Sequence, residues 1–106
     1  MKTITYNKLV RDRIPELISA SGKKAVTEQL SSEAYLDKLH EKLSEELEEY
    51  YETCSVDELV DLVEVIYAIL DYRCISDDEF EALRKVKRDH KGVFHNRLLL
   101  KQVILS

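Results

Sequence analysis

Apolar residues at Leu36, Leu39, Leu43, Leu47 and Tyr50 recur at the spacing of one helical face. This predicts an amphipathic helix that opens near Ser31 or Ser32 and runs to about Cys54. Ser55 followed by Glu58 has the form of a capping box, and starts a third helix through Leu59, Val63, Ile66 and Leu70 to about Cys74. Ser76 with Glu79 repeats the device. The fourth helix that follows carries Phe80, Leu83 and Val86 and stops near Lys91, where Gly92 can adopt the backbone of a helix end. Upstream, Pro15 suits the first turn of a short helix ending at about Ser21 with Gly22 as its stop, between extended segments at 2–6 and 25–30.

The pattern predicts an all-α fold: an antiparallel helical bundle of about four helices with short extended N- and C-terminal segments. At 106 residues the chain holds one modest core, so residues 1–106 are expected to form a single domain. The tail carries Leu98, Leu99, Leu100, Val103, Ile104 and Leu105. It is too apolar to be left in water and is expected to pack on the domain or on a second subunit. Two long helices and two shorter ones leave apolar surface to spare, which points to a homodimer or homotetramer.

Composition narrows the function. Only two Gly and one Pro stand against 35% charged residues, which disfavours an all-β fold. The net charge of −5 argues against a surface that tracks nucleic-acid phosphates, although an acidic protein still binds phosphates through a bridging cation. No apolar run approaches the roughly 20 residues that span a bilayer, and the N-terminus lacks the regions of a signal peptide, so a cytoplasmic protein is expected. Cys54 and Cys74 lack metal-ligand spacing and are expected as free thiols. His40 sits on a charged helix face, and His90 and His95 lie among basic residues with no acidic partner at catalytic spacing, so all three are expected at the surface; the absence of a Gly-rich loop excludes a P-loop.

The informative region is acidic. Nine carboxylates lie between Glu45 and Glu64. At about 100° per residue, Glu46 falls at the edge of the apolar stripe, whereas Glu45, Glu48 and Glu52 point away from it and are expected as surface residues. The third helix is apolar nearly all the way round from Leu59 to Leu70, so it should be buried, and Asp61 within it then needs a cation, a basic partner or a raised pKa. Glu46, Glu49, Glu58 and Asp61 form two pairs at i, i+3 on helices joined by a tight turn, and can converge into an all-oxygen pocket. Such ligands select Mg²⁺ or Mn²⁺. The alternative is that Glu58 only caps its helix and Glu49 only pairs with Lys or Arg.

Glu45-Glu46-Leu47-Glu48-Glu49 followed by Glu58-Leu59-Val60-Asp61 resembles the EExxE and ExxD motifs of the MazG-like, all-α nucleoside triphosphate pyrophosphohydrolases. The opening from Tyr6 to Glu16, with Asn7, Lys8, Arg11, Asp12, Arg13 and Pro15, resembles the small phosphoribosyl-ATP pyrophosphohydrolase-like branch, as does Lys85 to Phe94. The gap between the acidic motifs is shorter than in many members.

The resemblance implies Mg²⁺-dependent hydrolysis of a nucleoside triphosphate at the α-phosphorus, giving the monophosphate and pyrophosphate. Glu46, Glu49, Glu58 and Asp61 would hold the metal, Mg²⁺ or alternatively Mn²⁺. Glu45, Glu46 and Glu49 would be the catalytic carboxylates, with Glu45 or Glu49 as general base. Glu64 is a weaker addition. Asn7, Lys8, Arg11, Arg13, Lys85 and Arg88 are the expected substrate contacts, since cations must face the triphosphate. Two further readings stand beside this one: phosphoribosyl-ATP hydrolysis in histidine synthesis, and a non-catalytic helical oligomer that binds a nucleotide or a protein.

Overall fold

The computed structural model of the protein describes residues 2–105. Among them are four helices in chain order, α1 (Ile14–Ala20), α2 (Ser32–Thr53), α3 (Val56–Tyr72) and α4 (Asp77–Lys91), and no strand. The fold is therefore all-helical, with boundaries within about two residues of those the caps predict. None of these helices is long and apolar enough to cross a membrane. The chain divides into two compact units, Met1–Cys74 and Ile75–Ser106.

In the first unit α2 and α3 pack against each other, and two residues join them. Cys54 ends α2 in the left-handed region at φ 52°, and its N–H returns to the Tyr50 carbonyl at 2.7 Å. Ser55 then caps α3 by accepting the Asp57 N–H at 3.2 Å. The far ends meet as well, with the Tyr35 and Tyr72 rings edge-on at 6.1 Å. Leu39, Val65 and Leu70 are the buried hydrophobic residues of this pair. Removing such a side chain from water contributes about 1.5–3 kcal/mol.

Two expectations change here. The capping box at Ser55 is not closed, because the Ser55 N–H is held by Thr53 Oγ1 at 3.2 Å and the Ser55 hydroxyl serves Asp57 rather than residue 58. The Glu58 carboxyl is thereby free for other work. Nor is α3 buried all round. Val56, Val60 and Val63 are exposed, because α2 covers one side of α3 and nothing in the first unit covers the other.

The second unit is α4 and the tail. The Ser76 hydroxyl accepts the Glu79 N–H at 3.1 Å. Asp77, Asp78 and Glu79 fill the first turn, and Arg88, His90 and Lys91 the last, which complements the helix dipole at both ends. Gly92 stops the helix at φ 83°, where a side chain would be strained. Leu83, Val86 and the tail residues Leu98, Leu99, Leu100, Val103, Ile104 and Leu105 are all exposed.

Candidate metal centre

The pairing of α2 with α3 brings five carboxylates into one cluster. Glu45, Glu46 and Glu49 offer oxygens within 4.8 Å of one another, and so do Glu46, Glu58 and Asp61. Glu46 belongs to both sets and is the pivot. The i, i+3 spacing sets Glu46 beside Glu49 on α2 and Glu58 beside Asp61 on α3, while the two-residue joint brings the two pairs face to face.

Burial across the cluster is uneven. Glu46 is only 4% exposed, the one buried charged residue among those described. Its Oε1 lies 3.3 Å from Lys42 Nζ, but its Oε2 is buried with no hydrogen-bond partner. Glu58 is half-buried, and its carboxyl is pushed up to about 7, first by desolvation and then by the Glu49 and Glu46 carboxylates close enough to share its proton. The crowding of like charges thus has two remedies. A proton held at Glu58 is one, and a divalent cation is the other.

Three cations line the cluster. Lys8 Nζ donates to Glu45 Oε1 at 3.0 Å, Arg11 Nη2 donates to Asp61 Oδ1 at 2.7 Å, and Lys42 lies 3.7 Å from Glu45 as well as 3.3 Å from Glu46. The hydrogen bond from Lys8 holds Glu45 below the usual carboxylate range, and the same contact raises Lys8. Glu45 is therefore the cluster member kept ionised by its own partner.

Of the expected substrate contacts, Lys8 and Arg11 reach the cluster. Asn7 stands beside them in the left-handed region at φ 49°, with its carbonyl accepting from Lys38 Nζ at 3.3 Å. Arg13 does not reach it, because its guanidinium turns to Glu16 at 3.4 Å within the start of α1. Lys85 and Arg88 lie in the second unit, where with Glu81, Arg84, Asp89, Gly92 and Val93 they line an open depression. Glu48, Glu52 and Glu64 are exposed and stand outside both acidic sets, and the three histidines are exposed. Both cysteines are free and exposed.

The helical wheel put Glu45 among the surface residues, whereas Lys8 of the N-terminal segment covers it and Glu46 and Glu49 share its cluster. Sequence reasoning missed Lys42, although its place four residues before Glu46 is the spacing at which helical ion pairs form. It also found no basic partner for Asp61. Arg11 lies fifty positions away in sequence, and no periodicity within α3 could have shown it.

No family model matches the chain, and no solved structure matches it. A stretch of 41 residues is 56% identical to an uncharacterised protein of Mycolicibacterium smegmatis, covering 39% of this chain and 42% of that protein. The match thus spans less than half of that protein and brings no activity with it.

Proposed function

We propose that this chain is a metal-dependent nucleotide pyrophosphohydrolase of the MazG-like kind, which hydrolyses a nucleoside triphosphate at the α-phosphorus to the monophosphate and pyrophosphate. The observation that supports it best is Glu46, a buried carboxylate with one oxygen left unpartnered inside a ring of four others. A buried carboxylate oxygen without a partner is costly even where Lys42 pairs with the other oxygen, and a cation shared with Glu49, Glu58 and Asp61 would remove the cost. The donors are all hard oxygens, which fits Mg²⁺ or Mn²⁺.

A divalent cation bound there would supply positive charge to the leaving pyrophosphate and acidify an attacking water. The chain's own residues do the rest. Lys8 and Arg11 come from the N-terminal segment and face the carboxylates, where they can receive phosphate oxygens. Glu45 is ionised and stays on the rim, in position to accept a proton once Lys8 has moved to a phosphate. The uncovered side of α3, with Val56, Val60 and Val63, supports assembly into a homodimer or homotetramer in which a second copy completes an antiparallel bundle. A cytoplasmic location agrees with free thiols and a nucleotide substrate.

The test is pyrophosphate release from a panel of natural and modified nucleoside triphosphates and phosphoribosyl-ATP, with Mg²⁺, with Mn²⁺ and with chelator. Release that depends on the metal is the expected result. No release from any member by folded protein would overturn the reading.

A further inference from the structure

The segment before α1 has an unusual attachment to the rest of its unit. Residues 2–10 form no helix or strand, all but Leu9 are exposed, and among the described residues no hydrogen bond from one main-chain group to another fastens them. Their polar ties run to α2 and α3 through side chains: Lys8 to Glu45, Arg11 just beyond to Asp61, and the Asn7 carbonyl to Lys38. Two of these three ties end on carboxylates of the acidic cluster, one in each of its two ligand sets.

We propose that this segment is an electrostatic latch: Lys8 and Arg11 occupy carboxylate oxygens that a divalent cation requires, so cation binding releases the segment and frees both side chains to grip phosphate. The inference rests on the cation-binding reading above and adds to it an order of events. Charge supports the exchange, because one double charge entering as two single charges leave keeps the cluster's balance unchanged. Geometry supports it too, because Glu45 and Asp61 each have one oxygen held at 3.0 Å or less by the segment. Both ion pairs are partly exposed, and such a pair is worth no more than about a five-fold factor in an equilibrium. The latch is therefore weak enough for a cation to open.

Two consequences follow. Bare cations bind the wild-type protein less tightly than the carboxylates alone would allow. A polyphosphate and the cation also bind cooperatively, since the phosphates accept Lys8 and Arg11 as the cation takes the carboxylates.

The experiment uses the full chain and does not depend on turnover. Backbone ¹⁵N order parameters of residues 2–12 are measured with and without Mg²⁺, and Mg²⁺ affinity is titrated by calorimetry in wild type, Lys8→Met, Arg11→Met and Arg13→Met. Mg²⁺ is expected to lower the order parameters across the segment. Lys8→Met and Arg11→Met should each tighten Mg²⁺ by about two- to five-fold. Arg13→Met serves as the charge-matched control, since Arg13 pairs with Glu16 and not with a carboxylate of the cluster among the described residues, and should leave the affinity unchanged. In wild type, inorganic tripolyphosphate should tighten Mg²⁺ further, and Lys8→Met should lose most of that gain. Mg²⁺ binding with unaltered order parameters, or affinity gains equal to those of the control, would overturn the latch and leave the metal site standing. Absence of any Mg²⁺ or Mn²⁺ binding in wild type would overturn both.

Discussion

Glu46→Gln tests the cluster most directly, because it changes charge with almost no change of shape. The side chain is 6% exposed, with Oε1 at 3.3 Å from Lys42 Nζ and Oε2 unpartnered. A buried acceptor without a partner costs about 1–3 kcal/mol. The Lys42 contact returns about 1 kcal/mol or less, and Lys42 keeps Glu45 at 3.7 Å when it is lost. A Gln amide removes the charge and turns two N–H donors toward the Glu49 and Glu58 carboxylates. The metal-free variant should therefore be more stable than wild type by about 1–2 kcal/mol, or roughly 4–8 °C in melting temperature for each kcal/mol in a domain of this size. Metal reverses the order. At a hundred times its Kd, a cation stabilises wild type by about 2.7 kcal/mol, and the variant, lacking the pivotal ligand charge, should keep little of this. Thermal unfolding by far-UV circular dichroism, in chelator and in Mg²⁺, gives both numbers. A variant less stable than wild type in chelator, or one that gains as much from Mg²⁺, would refute the reasoning.

Asp61→Asn should abolish Mg²⁺-dependent pyrophosphate release while costing less than about 1 kcal/mol of stability, because the Arg11 pair it weakens is partly exposed; retained turnover would remove Asp61 from the site. Glu58 titrates at about 7 in the metal-free fold against an ordinary value of 4.5, so its contribution to stability is complete below the ordinary value and is lost as pH rises through about 7. Metal binding runs the opposite way, since the ionised carboxyl is the ligand. Mg²⁺ affinity should climb with pH through neutrality and release protons there, and a pH-independent affinity in calorimetric titrations would contradict the shared-proton arrangement. Val60→Glu puts a charge on the uncovered side of α3; on the proposed assembly wild type is an oligomer by light scattering and the variant a monomer, and equal masses for the two would refute a subunit contact through this side.

Sequence alone determined the helices, because their signals are local. Ser31, Ser55 and Ser76 stand at all three long-helix N-termini, and Gly92 ends the last. A cap is a contact between residues two or three apart, and an apolar stripe is a repeat within one turn. The grouping of Glu46 with Glu49, and of Glu58 with Asp61, was legible for the same reason, and so was the meeting of the two pairs across a two-residue joint.

Tertiary structure decided what lies far apart in the chain or depends on competition between partners. Arg11 reaches Asp61 and Lys8 reaches Glu45 across thirty-seven residues or more, and neither pairing leaves a periodic trace. Arg13, in the same basic run, goes instead to Glu16, because the start of α1 offers it a carboxylate at i+3. Whether the Glu58 carboxyl would return to the Ser55 N–H depended on Thr53, whose hydroxyl takes that N–H and leaves the carboxyl to its acidic neighbours. The open side of α3 was beyond the hydropathy pattern as well. A helix that is apolar all round is equally consistent with burial in its own chain and with burial against another, and only the packing of α2 on one face shows which side the chain covers by itself.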